Sequence, residues 1–255
     1  MNRMKKGIAA LLLVCLLLAA VTPYASAETI VASGRCTEDI LWTLNRDGLL
    51  NITGSGEMPN YTHDTRAPWF EYRDRVKTVT ISYDIPNIGS YAFAGFRFLT
   101  DIRILNQQYG SIESCVVGEC AFSGCSMLSS IGSAYRAQIG NYAFAYCEAL
   151  KYVYFSTITE IGEGAFYYSG LESMSISAPS IGASAFDSCF QLKDVYIRST
   201  EIGARAFFGC SNLSSLSFSD EVERIGERAF WCCDSLSYVE IPDNISFIGD
   251  GAFGS

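Results

Sequence analysis

The sequence predicts a β-rich solenoid in which stacked coils each contribute one short parallel strand, closed at its start by a β-hairpin. Three observations predict it. The phrase Ile-Gly-x-x-Ala-Phe begins at Ile88, Ile139, Ile161, Ile181, Ile202, Ile225 and Ile248, with a Val117-Gly118-Glu119-Cys120-Ala121-Phe122 variant in between; successive copies start 29, 22, 22, 20, 21, 23 and 23 residues apart. Behind Phe144, Phe186, Phe207 and Phe230 follows an apolar set whose last two members alternate, with the Phe166 copy one residue short and the Phe122 copy degenerate. Ahead of the first copy, Asp47-Gly48 separates two runs of alternating apolar residues. Self-similarity at this period marks units that bury their apolar faces only against their neighbours.

The elements follow in chain order. Lys5 and Lys6, an apolar run from Ile8 to Val21 and a small-residue Ala25-Ser26-Ala27 site make residues 1–27 read as a secretory signal peptide. The apolar run is 14 residues long, whereas a spanning helix needs about 20, and no other stretch is long and apolar enough to serve as a transmembrane span. In residues 28–75, Trp42 with Leu44 and Leu50 with Ile52 flank Asp47-Gly48, a hairpin pattern. This segment does not repeat and is expected to cap the solenoid, with Pro68-Trp69-Phe70 covering the core.

Residues 76–255 are expected to form about eight coils, the last incomplete. After Phe186 come Cys189, Leu192, Val195 and Ile197; after Phe207 come Cys210, Leu213, Leu216 and Phe218. The final pair in each set is spaced by two, so both face the same way on a strand. Eight such strands, from Val79-Ile81 to Val239-Ile241, side by side at about 4.8 Å, would make a sheet roughly 38 Å long. The recurrent phenylalanine predicts an aromatic stack along the axis. The glycine after isoleucine supplies either a left-handed backbone angle or room for a tight corner. The two residues between glycine and alanine are expected to vary freely and face water. The chain stops at Ala252-Phe253-Gly254-Ser255, in mid-coil, which leads us to expect a longer natural protein or a last coil that is covered by a partner or frays.

Charge and composition remove several functions. The net charge is −9; loss of residues 1–27 leaves 15 basic residues against 27 acidic, or −12. A chain this acidic repels phosphate backbones, so nucleic acid is not an expected partner. Of nine cysteines beyond residue 27, Cys125, Cys147, Cys189, Cys210 and Cys233 fall three residues after the repeated phenylalanine, where other coils place Phe96 and Ser169. A position that accepts Phe or Ser is a packing position, and the spacing is not that of paired zinc ligands, so we expect buried free thiols and no metal. Cys115 with Cys120, or Cys232 with a neighbour, stays open as a disulfide outside the cell. His63, the only histidine, lies beside Asp64 in the polar loop "NYTHDTRAP". No strained Gly-x-Ser-x-Gly turn accompanies it, and Gly54-Ser55-Gly56 lacks the rest of a phosphate loop. Neither catalysis nor a cofactor is expected.

The phrases "IGEGAFYYS", "IGARAFFGCSNLSSLSF" and "IGERAFWCCDSLSYVEIPDNISFIGDGAF" resemble the BspA-like leucine-rich repeats, and "LWTLNRDGLLNITGSGEMP" with "PWFEYRDRVKTVTI" is similar to the segment that precedes those repeats in bacterial members. The resemblance covers roughly residues 36–255 and implies a leucine-rich repeat solenoid. It also implies a secreted or surface-attached protein that adheres to other cells or to host matrix proteins such as fibronectin and fibrinogen.

A binding role has a place to live. The residues flanking the inward apolar ones point onto the sheet face: Asp101 and Arg103, Tyr152 and Tyr154, Asp194 and Tyr196, Tyr238 and Glu240, with Ser173, Ser175, Ser215 and Ser217 in the coils between. Tyrosine is rigid and amphipathic and favours interfaces. The expected ligand is an extracellular protein or a glycan. Two other readings stand beside it: an assembly module that stacks end to end, and a secreted carbohydrate-active protein.

Overall fold

The computed structural model describes residues 29–105, 115–131 and 134–254; the expected signal peptide lies outside them. The chain winds as a β-solenoid of about seven turns with parallel strands and almost no helix. The isoleucine of each motif is itself a strand residue. Asn87–Ile88, Cys115–Val117, Ala134–Ile139, Phe155–Ile161, Ser180–Ile181, Glu201–Ile202, Arg224–Ile225 and Phe247–Ile248 form an eight-stranded sheet. Its pairs are all parallel and align Ile88, Val117, Ile139, Ile161, Ile181, Ile202, Ile225 and Ile248 in one column. This sheet is additional to the single strand per coil that the sequence suggests, because a two-residue strand is too short to show alternation.

The motif glycine is there for close approach. A Cβ on Gly182 would lie 2.5 Å from the carbonyl carbon of Gly162, and one on Gly203 would lie 2.7 Å from that of Gly182, so successive coils stack glycine against glycine. The left-handed angle falls two residues later instead. Tyr91, Cys120, Tyr142, Ser184, Arg205 and Arg228 hold φ between 51° and 58° there, beside Gly164 and Gly251. A second left-handed position follows two residues after the phenylalanine, at Gly95, Gly124, Tyr146, Tyr168, Ser188, Gly209 and Cys232. The residues between glycine and alanine therefore do not vary as freely as expected, and Gly164 is buried with the ring of Tyr142 against it. These turns let alternate amides reach the next coil: Tyr142, Phe144 and Tyr146 N–H donate to the carbonyls of Glu163, Ala165 and Tyr167, each at 2.8 Å.

Inside, the phenylalanines stack. Phe93, Phe122, Phe144, Phe166, Phe186, Phe207, Phe230 and Phe253 succeed one another with ring centroids 4.9–5.3 Å apart and planes within 12° of parallel. Trp69 covers the first ring at 5.7 Å and its Nε1–H donates to the Ala92 carbonyl at 2.9 Å. Near the other end, the half-buried indole of Trp231 packs against Gly251 and Gly254. Beside the stack runs a column of thiols. Cys125, Cys147, Cys189, Cys210 and Cys233 each donate from Sγ to the carbonyl of the phenylalanine one coil earlier, at 3.1–3.3 Å. All nine described cysteines are free.

The strand face departs from expectation. Ile30–Arg35 and Ile40–Asn45 pair antiparallel, Ile40–Asn45 pairs antiparallel with Leu49–Gly54, and Leu49–Gly54 leads in parallel into Thr78–Ser82, Asp101–Leu105 and Ser130–Ile131. The expected hairpin is thus the start of this sheet. Ser173–Ser177, Asp194–Arg198 and Ser215–Phe218 make a separate three-stranded sheet. The eight strands do not line up in one run, because residues 152–154 and 239–241 form no strand. In the first case Phe155–Ile161 is drawn into the isoleucine sheet, pairing with Ala134–Ile139. In the second, Pro242 follows at once and has no amide hydrogen to donate.

Candidate functional site

The three-stranded sheet and the break beside it create a groove of about 660 Å³. Alternation sets its floor. Met174, Val195 and Leu216 are buried, while Ser175, Tyr196 and Ser217 pair across the strands on the outer face, as do Ser173, Asp194 and Ser215. Each row therefore places one larger side chain between two serines. Tyr152, Val153 and Tyr154, which join no strand, form the neighbouring wall together with Phe155.

The electrostatics pin one tyrosine and leave two free. Tyr152 donates its hydroxyl to Glu172 Oε2 at 2.9 Å, and Lys151 Nζ holds Glu172 Oε1 at 2.7 Å. These bonds, that from Lys151 first, lower the Glu172 carboxyl below its ordinary range, and the bond to Glu172 raises the Tyr152 phenol. The hydroxyls of Tyr154 and Tyr196 make no hydrogen bond among the described residues, and the side chains are 66% and 43% exposed. The groove thus offers aromatic faces, hydroxyls and the Asp194 carboxylate. Among the described residues, no group of three or more His, Cys, Asp or Glu is placed to hold a metal ion.

The structure brings together half of the residues singled out from the sequence. Tyr152, Tyr154, Asp194 and Tyr196 line the groove with Ser173, Ser175, Ser215 and Ser217. Asp101 and Arg103 sit on the other strand sheet and pair with each other, Nε to Oδ2, at 2.5 Å. Tyr238 and Glu240 are exposed outside the groove lining, in the coil that forms no strand. Lys151 and Glu172, which fix Tyr152, escaped sequence reasoning because nothing in their local pattern distinguishes them from other surface charges.

A family model described as BspA type leucine rich repeat region, in six copies, matches residues 63–193 and 179–255. No curated protein matches the chain. Among solved structures, the chain is similar to a leucine rich repeat protein of T. pallidum at 21% identity, covering 86% of this chain and 88% of that one, TM-score 0.46. It is similar to a leucine rich cell surface protein of Faecalibacterium prausnitzii at 18% identity, with 88% and 86% covered and TM-score 0.37. A leucine-rich repeat protein of Eubacterium ventriosum is similar at 19% identity, with 88% and 94% covered and TM-score 0.35.

Proposed function

We propose that this chain, which belongs to the BspA type leucine-rich repeat family, is a non-catalytic binding module that is secreted or held at a cell surface and adheres through its strand-face groove. The observation that carries the reading is the pattern of Tyr196 and Asp194 between serine rows, walled by Tyr152 and Tyr154. Rigid amphipathic rings over small hydroxyl residues supply contact area at low entropic cost and adaptable hydrogen bonding. The leader pattern of residues 1–27 supports an extracellular setting. No helix among the described residues is long and apolar enough to cross a membrane.

The ligand that fits best is an extracellular protein, of matrix type, with a glycan as the alternative. The test is a triple variant, Tyr152→Ser with Tyr154→Ser and Tyr196→Ser, assayed on immobilised matrix proteins and on a glycan array. Binding should weaken by roughly tenfold or more, the effect of losing one interface hot spot, while the melting transition stays in place. Unchanged binding to every ligand of the parent protein would overturn the assignment.

A further inference from the structure

A second groove, of about 480 Å³, lies where the loop before the repeats meets the first two corners. Its lining carries Arg66, Arg73 and Arg97, against the single carboxylate of Asp74. That is a concentration of positive charge in a chain of net charge −9 with only 18 basic residues. Local structure builds it. Phe70–Tyr72 is a single 3-10 turn, in which residues three apart eclipse, so Arg73 returns over Phe70. Arg66 reaches the same ring from the preceding loop: the two guanidinium carbons lie 4.8 and 4.5 Å from its centroid. Both heads thus rest against a ring whose π system attracts cations. Arg97 enters from the first coil, whose Tyr91 also lines the groove, and Ser123 adds a hydroxyl from the second.

These charges are poorly answered within the chain. Arg73 meets Asp74 only at 3.8 Å. Arg66 and Arg97 make no ion pair among the described residues. We infer that this groove is an oxyanion site, taking a tetrahedral phosphate or sulfate group, free or as an ester on a larger molecule. Guanidinium forks match such oxygens geometrically and bind them with charge-assisted hydrogen bonds. The site shares no lining residue with the tyrosine groove, so either can fail without the other.

The test titrates the protein by calorimetry with inorganic phosphate and inorganic sulfate, and in parallel with a sulfated polysaccharide and its desulfated form. Arg97→Gln, at an exposed residue with no ion pair among the described residues, should weaken oxyanion binding by roughly tenfold, the loss of one charged hydrogen bond. Arg46→Gln, in the hairpin turn, removes the same charge elsewhere and should change nothing. Binding of the free ions marks a site for a small oxyanion; retention of the sulfated polysaccharide alone marks an ester-bearing glycan, and both uphold the inference. No binding of any probe, or equal losses for Arg97→Gln and Arg46→Gln, overturns it.

Discussion

Cys210 donates its thiol hydrogen to the carbonyl oxygen of Phe186, 3.1 Å away and one coil earlier. The relation recurs down the rod and explains why the position suits cysteine: the group is small, apolar enough to bury and still able to satisfy a carbonyl. Cys210→Ala should cost about 1–2 kcal/mol, from a small cavity and a lost donor. Cys210→Ser should cost less, in keeping with Ser169 at the same position. Chemical denaturation of the two variants checks the order.

Burial also silences these thiols. Cys115, Cys125, Cys147, Cys189, Cys210 and Cys233 are buried, while Cys36, Cys120 and Cys232 are half-buried. Since the thiolate is the reactive form, a thiol reagent should titrate three groups quickly in native protein of residues 28–255 and six only on unfolding. More than three fast equivalents would contradict the packing.

The same desolvation sets a response to alkali. It pushes Cys115 and Cys189 up to about 11 and Cys233 to about 12, and raises Cys125 and Cys210 well above the ordinary thiol value. A thiol raised on folding contributes stability that is complete below its unfolded value near 9 and is lost as pH climbs toward the folded value. In that window the unfolded chain has released protons that the folded chain retains, so stability falls by up to about 1.4 kcal/mol per pH unit for each such thiol. Urea midpoints should be level from pH 7 to 8 and drop steeply between 9 and 11; replacing Cys189 and Cys210 with serine should flatten the drop.

Two neighbouring positions should respond to mutation in opposite senses. Gly182→Ala places a Cβ within 2.5 Å of the Gly162 backbone, with no flexible group to yield, and should cost more than about 3 kcal/mol. Ser184 holds φ at 52°, and Ser184→Gly should relieve strain and stabilise by up to about 1 kcal/mol. Thermal melts of both variants provide the comparison.

The stack predicts a cost independent of polarity. Phe186 lies 5.2 Å from Phe166 and 4.9 Å from Phe207, both nearly parallel to it. Phe186→Ala should destabilise by about 3–5 kcal/mol, with Phe186→Leu well below that. Denaturant unfolding measures both.

The columns were legible in the sequence because each is a residue type repeated at one phase: phenylalanine, isoleucine and cysteine announce neighbours by recurrence alone. The left-handed turns were not, because Tyr142, Ser184 and Arg205 occupy them where glycine would have advertised the angle. Nor was the break at residues 152–154, since Val153 and Phe155 alternate as well as Val195 and Ile197 do; the difference lies in which strand claims Phe155. Half of the candidate site was visible for that reason: alternation tells which side chains face outward but not which coils stay in the ladder. The arginine groove left no local trace, because Arg66, Arg73 and Arg97 come from separate segments and stand among acids such as Glu71 and Asp74.

The placement of tryptophan gives the molecule its own optical labels. Trp42 and Trp69 meet edge to face at 6.4 Å in the hairpin region, whereas Trp231 belongs to the coil of Phe230, far along the rod. With Trp231→Phe the emission comes from the leading end alone, and the difference from the parent spectrum isolates the trailing end. Whether the rod melts in one step or unzips from one side is thereby readable from fluorescence, with no probe attached.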